Sequence, residues 1–343
     1  MSRLCRVGLL FTVMAFGAAS TGCDNGGSAD KTSREQTKAG ERVDAKADAK
    51  AGETPEAGAD AAASARPPAT DLTGRLLAWI DPDAHGVIYA KMPRDLDLEA
   101  LATLFAVPSK GERILRQFAS ADENFEMLLG EGAVAEWFEE PGLAMLPVIA
   151  QGAYVVRLLK KPPADFEAAL LGADMELREI EGLKVFVPRG GFPWKIVLLE
   201  DNAVGFVPVR ELGSGIGPLT AARDLPPSDV ETQLSTALHQ DPDTILELLV
   251  QGPMGHMEIA EPLISVRLSL RSYQTKGVDG VVALHPTGDL DGAVNSLRAR
   301  SGELETDQMQ ALMDRVAFQI EGPIIIGRLQ VPATDRSALE REP

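Results

Sequence analysis

Residues 24 to 70 contain one large aliphatic side chain, Val43, and no aromatic one, and this compositional break divides the chain before any element is assigned. Ala, Gly, Asp, Glu and Lys dominate the segment, and such a stretch cannot bury enough apolar surface to offset the entropy lost on ordering. Ala45 to Lys50 alternates Ala with Lys and Asp, a transiently helical pattern, but Gly52 and Pro55 interrupt it. The 47 residues read as a solvated tether. As a flexible coil the tether averages roughly 40 Å end to end, with an extended limit of about 150 Å.

Upstream, Arg3 and Arg6 precede an apolar stretch from Val7 to Ala19, followed by the small residues Ser20, Thr21 and Gly22 and then Cys23. This is the three-part layout of a secretory signal, and its apolar run is too short to span a bilayer. Ser20-Thr21-Gly22-Cys23 resembles the lipobox of bacterial lipoproteins, a family in which a diacylglycerol is attached to the cysteine sulfur and the peptide is cut before that cysteine. The resemblance implies a signal peptide over 1–22, a tether over 23–70 and lipidation at Cys23. A cut after Ala19 is the alternative, because Gly17-Ala18-Ala19 also offers small residues at suitable spacing. Cysteine usage favours the lipobox. Cys5 and Cys23 are the only two cysteines, Cys5 leaves with the signal either way, and an unmodified Cys23 would be a lone thiol in an oxidising compartment.

The remaining 273 residues, 71–343, are enough for one large domain or two similar subdomains divided near 210–227. With no cysteine among them, apolar burial alone must hold the fold. The tether carries seven basic and nine acidic residues and the signal two basic ones, which leaves a net charge of −18 on this part. A domain so acidic repels nucleic acid and anionic headgroups, so nucleic acid is excluded as a partner. The charge itself reads as a device for solubility. The apolar window from Leu143 to Leu159 holds Pro147, Gln151, Gly152 and Arg157, which suits a loop and a buried strand better than a second membrane span.

Along the domain, Leu76 to Ile80 reads as a short extended segment, and turn residues 81–86 lead into a strand at Val87 to Lys91. Helices follow at Leu96 to Ala106, from Glu112 to Phe118 behind a capping box at Ser109, and around Phe125 to Leu129. A second unit offers strand Tyr154 to Leu159, helix Asp165 to Leu171, and strands near Leu183 to Val187, Trp194 to Leu199 and Val204 to Val207. After Pro226-Pro227, Ser228 and Glu231 form a capping box for a helix to about His239. A third unit has strands Ile264 to Arg271 and Val278 to Leu284, helices Leu290 to Arg300 and Asp307 to Val316, and strands Ala317 to Ile320 and Ile324 to Val331. The expected class is α+β, with repeated strand-helix-strand units and mainly antiparallel sheets. The second and third units share an order of elements, which fits either a degenerate duplication or ordinary α+β architecture.

Motifs with chemical potential are few. Asp81-Pro82-Asp83-Ala84-His85-Gly86 imitates the first half of a calcium loop, but Met92 stands where a bidentate Glu is required, so the segment reads as a turn. Gly213, Gly215 and Gly217 lack the Lys and Ser/Thr of a phosphate loop and read as a flexible connection. His85, His239, His256 and His285 are scattered without metal-ligand spacing. No nucleophile elbow is present and the domain has no cysteine. The acid pairs Glu139 with Glu140 and Glu179 with Glu181 read as solvated faces rather than a glycosidase couple. No catalytic residue, cofactor or metal ligand is therefore assigned.

The stretch Leu77-Ala78-Trp79-Ile80-Asp81-Pro82-Asp83-Ala84, leading into Val87-Ile88-Tyr89, resembles the opening of the folded part of uncharacterised bacterial lipoproteins. That resemblance implies a repeated α+β fold and no known activity. The functional expectation is a membrane-anchored protein of the cell envelope with a non-catalytic binding or structural role. Its partners are the membrane, through the lipid on Cys23, and a protein of the envelope. An envelope hydrolase with an unrecognised site and a carrier of an apolar ligand are the alternatives.

Overall fold

The computed structural model describes residues 71–91, 104–105, 107, 109–148, 152–210, 216–221, 225–241, 243–254, 263–273, 277–299, 310–312 and 314–339. Asp71 opens the first element: its carboxylate accepts the Gly74 N–H at 3.0 Å and caps α1 (Leu72–Leu77). The stretch expected to start extended at Leu76 is therefore the end of a helix, because an N-terminal cap and buried Leu76 and Leu77 outweigh the strand-like composition. A turn at Asp81 leads into β1 (Gly86–Lys91). The two short helices expected between 112 and 129 are one, α2 (Ser109–Leu129), since the linking residues Ala119 to Asn124 contain no breaker. There follow α3 (Ala133–Trp137), β2 (Phe138–Leu146), β3 (Tyr154–Leu159), α4 (Pro163–Gly172), β4 (Met175–Ile180), β5 (Leu183–Pro188), β6 (Trp194–Leu198) and β7 (Ala203–Pro208). The chain continues through α5 (Gly217–Ala221), α6 (Asp229–Gln240), β8 (Thr244–Met254), β9 (Leu263–Tyr273), β10 (Gly277–Pro286), α7 (Leu290–Ala299), β11 (Ala317–Glu321), β12 (Ile324–Val331) and a 3-10 helix, Ala333–Leu339.

Ser228 caps α6 as its sequence signature predicts, accepting the Glu231 N–H at 3.2 Å. The strand β8 falls where the sequence reading places no element, because Leu246, Glu247, Leu248 and Leu249 suit a helix equally well until pairing decides. Of the helix expected over 96–106, only residues 104 and 105 are described, both buried. Of the one expected over 307–316, residues 310–312 are helical, and 307–309 and 313 lie outside the described residues.

All twelve strands join one antiparallel sheet in the order β11-β12-β10-β9-β8-β1-β2-β3-β7-β6-β5-β4. The α+β class is thus realised as a single sheet that runs across both halves of the chain.

The register of the sheet exposes an internal repeat. Where β1 meets β8, Ile88 pairs with Leu248, Gly86 with Val250 and Ala90 with Leu246. This ladder is symmetric about the Ile88–Leu248 pair when Asp81-Pro82-Asp83 is superposed on Asp241-Pro242-Asp243. The two turns share their bonding, with Asp83 N–H to Asp81 Oδ1 at 3.0 Å and Asp243 N–H to Asp241 Oδ1 at 3.1 Å. Outward from the axis, β1-β2-β3 and β8-β9-β10 are matching meanders, and β7 returns beside β3 as β12 returns beside β10. Ala144 then corresponds to Leu268, Val155 to Val282 and Phe206 to Gly327. The helices α4 and α7 begin four residues beyond β3 and β10, both ten residues long, with Phe166 and Leu170 buried in one and Ala293 and Leu297 in the other. The first half adds α2 and α3 between its first two strands and the hairpin β4–β5 at its edge.

One face of the sheet is covered along both halves. Ile88, Ala144, Val155, Phe206, Leu248, Leu268 and Val282 belong to a core shared with α2, α4 and α7. Within it Phe125, Phe138, Phe166 and Phe206 stack and cross at centroid distances of 4.8 to 5.9 Å, an arrangement that adds about 0.5–1.5 kcal/mol per pair to simple burial. The other face carries a second core, Val87, Tyr89, Leu143, Met145, Val156 and Val207 with α1, α5 and α6, and that core is confined to the first half and Leu249 of β8.

Candidate functional surface

Strand β9 reads Ser265-Val266-Arg267-Leu268-Ser269-Leu270-Arg271, and a period of two sends its apolar residues to the shared core and its polar ones to the opposite face. Pairing places Arg267 beside Leu249 and Ala283, Ser269 beside Glu247 and Val281, and Arg271 beside Thr244 and Asp279. Arg328 on β12 lies next to Val281, and His285 on β10 next to Ser265. The outcome is a polar half-sheet.

Its arginines are organised by acids. Arg267 Nε donates to Glu247 Oε1, Arg271 Nη1 lies 2.9 Å from Asp241 Oδ2, and Arg328 Nη2 lies 3.4 Å from Glu321 Oε1. Glu247 is 2% exposed whereas the Arg267 side chain is 42% exposed, so the carboxylate is sunk in the sheet and the guanidinium reaches solvent. A buried carboxylate depends on such a partner, because removing it leaves an uncompensated charge. Chemically the face offers planar, bidentate donors in fixed positions with acids between them, which suits recognition of polar or charged groups.

Beneath α2 lies a second charged feature that sequence reasoning missed. Arg157 on β3 and Asp122 on α2 are both buried, with Arg157 Nη2 to Asp122 Oδ2 at 3.0 Å. Arg157 Nη1 also reaches the Glu140 carbonyl at 3.4 Å, and its guanidinium stands 5.4 Å from the Phe118 ring and 5.8 Å from that of Phe138. Gly142 makes room for it: a Cβ there would lie 2.7 Å from Phe118 Cζ. The one available signal was a lone Arg in an otherwise apolar strand. The pair ties the inserted helix to the sheet and is enclosed on every side, so it reads as a structural latch.

The residues singled out by sequence do not converge. Cys23, Gly213, Gly215 and His256 lie outside the described residues. Asp81 to Gly86 forms the turn expected of it, with Asp81 Oδ1 committed to the Asp83 N–H. Burial pushes the Asp81 carboxyl above its ordinary range, against the opposing effect of that hydrogen bond. His239 sits at the end of α6, its Nδ1 against the Ser235 carbonyl, while His85 precedes β1 and His285 lies on β10. Glu139 and Glu140 sit on β2, and Glu179 and Glu181 are exposed on β4 and its turn. Among the described residues no group of His, Cys, Asp or Glu is placed to hold a metal ion, and no helix is long and apolar enough to cross a membrane.

No protein-family model and no curated protein matches the chain. Two crystal forms of the protein TP0453 are similar to it in structure. Form I has a TM-score of 0.45 at 9% identity and form IV 0.41 at 12%, each match covering 77% of this chain and 94% of the other.

Proposed function

We propose that the chain is a lipid-anchored protein of the bacterial cell envelope, held on a membrane through Cys23, whose folded part binds a protein partner without catalysing a reaction. The anchor is supported by the charged, apolar and small-residue order of residues 3–23 and by the absence of any other cysteine in the mature chain. The tether lets the domain stand roughly 40 Å from the membrane surface. The observation that carries the binding role is the polar half-sheet, where Arg267, Arg271 and Arg328 are half-exposed and held in place by Glu247, Asp241 and Glu321. Water alone does not require three oriented guanidinium groups on one face of β9 and β12, whereas recognition of a charged protein surface uses them.

Replacing the anchor residue tests the first part. Cys23→Ala is expected to fold as the parent does yet move from the membrane fraction to the soluble envelope fraction; continued membrane attachment would overturn lipid anchoring. For the second part, chemical cross-linking in intact cells is to be compared between the parent and Arg328→Glu. Loss of a specific adduct in the variant supports the reading, and an unchanged adduct pattern removes the polar half-sheet from it.

A further inference from the structure

The repeat relates β6 of the first half to an edge strand of the second. In the first half β6 is flanked by β7 on one side and β5 on the other. Its counterpart in the second half is β11, because Ile196 pairs with Phe206 of β7 as Phe318 pairs with Gly327 of β12. Among the described residues none takes the place of β5 there, and β11 is the last strand of the sheet. Ala317, Gln319, Ile320 and Glu321 are exposed, and Ile320 is 40% exposed although it points to the same side as buried Phe318.

The two ends of the sheet differ in how they are guarded. At the far end β4 carries Glu176, Arg178 and Glu179, with Arg178 bonded to Glu176 at 3.0 Å, a charged edge of the kind that discourages further pairing. On β11 the residues Ala317 to Ile320 are uncharged, and Glu321 is engaged by Arg328. Arg298 of α7 donates to the Phe318 carbonyl at 3.3 Å, and a carbonyl retains a second lone pair for another donor.

We propose that β11 is an interface for a second copy of this chain, pairing antiparallel with its own counterpart about a twofold axis at Gln319. In that register Phe318 faces Ile320 of the second copy and Ile320 faces its Phe318. Each Ile320 gains an aromatic neighbour on the core side, as Ile196 has in Phe186. Ala317 meets Glu321, so no like charges oppose one another. A second copy is the occupant because the strand is complementary to itself and twofold pairing is the commonest closed association. Five residues of ladder and a charge of −18 per chain make the association weak, with a dissociation constant on the order of 10 μM or above.

The exported chain carrying Cys23→Ala has no other cysteine once the signal is removed, and it can be purified in detergent if it stays with the membrane, which keeps this test apart from that of the anchor. Sedimentation velocity is expected to show a concentration-dependent dimer. Ile320→Lys should raise the dissociation constant at least about tenfold with an unchanged circular dichroism spectrum. Under mild oxidation Gln319→Cys should form a disulfide-linked dimer at least about tenfold faster than Glu321→Cys, since residues directly opposite across an antiparallel pair bring their Cβ atoms within bridging distance. A chain that stays monomeric up to about 1 mM, well beyond a weak interface of this size, overturns the proposal. So does a dimer indifferent to Ile320→Lys, or equal cross-linking at the two cysteines.

Discussion

The two halves of the sheet share a register and a helix-turn-meander plan, yet the same face is an apolar core in one and a polar, partly exposed surface in the other. Val87, Leu143, Met145 and Val207 line the covered side of the first half. The register puts Glu247, Arg267, Ser269 and Arg328 at the corresponding places in the second. Backbone pairing is indifferent to this change, because hydrogen bonds run in the plane of the sheet and side chains stand off it. The face therefore belongs to the side chains, and the three helices α1, α5 and α6 gather where those side chains are apolar.

Exchanging one corresponding pair should break the comparison most severely. Val207→Arg places a charge in a fully buried position beside Lys195 and is expected to cost more than about 4 kcal/mol, whereas Arg328→Val on the open face should stay within about 1 kcal/mol. Urea denaturation of both variants checks this, and comparable losses would show that the two faces are not distinct environments. Next in size is the latch under α2. Arg157→Leu or Asp122→Leu alone leaves its partner buried without this ion pair, an expected loss of about 3–5 kcal/mol. The register makes Leu284 the counterpart of Arg157 in the second half, so the double variant adopts that half's apolar solution and should recover much of the loss in a double-mutant cycle.

A smaller effect is expected at Gly142, where a Cβ would press on the Phe118 ring. Gly142→Ala should cost about 1–3 kcal/mol, while its counterpart in the second half is already Val266, which is buried. A thermal midpoint equal to that of the parent would mean that α2 shifts freely over the sheet.

The smallest contrast lies in the twin turns. Burial raises the Asp81 carboxyl above its ordinary range, so its ionised form is disfavoured in the fold. The penalty sets in as pH rises through the ordinary carboxylate range and is complete above the raised value. Asp81→Asn keeps the acceptor for the Asp83 N–H and should be slightly more stable than the parent at neutral pH, with the gap closing in acid. Asp241→Asn instead loses the bond to the half-exposed Arg271 and should be weaker by less than about 1 kcal/mol. Thermal melts at neutral and acid pH read both signs.

Much of this plan was legible before folding. The capping box at Ser228 marked α6, and the strands expected at Ile264 to Arg271 and Val278 to Leu284 fall within β9 and β10. The repeat was visible only as a shared order of elements, since Val87 against Glu247 and Leu143 against Arg267 erase residue likeness where the faces diverge. Leu246 to Leu249 could not be placed because a short apolar run fits a helix or a strand until a neighbour claims it. Arg157 disqualified its window as a membrane span without revealing its ion-pair partner, which lies on a helix of another segment.

The sequence by itself determined which parts can form a core and where the turn at Asp81 and the cap at Ser228 fall, because these depend on composition and on residues near one another in the chain. Tertiary structure alone decided that the two halves fuse into one sheet through the Ile88–Leu248 pair, that the polar residues of the second half gather on one face, and that β11 is the last strand among the described residues. Strand pairing joins segments far apart in sequence, and its register is set by all the faces that must be buried together.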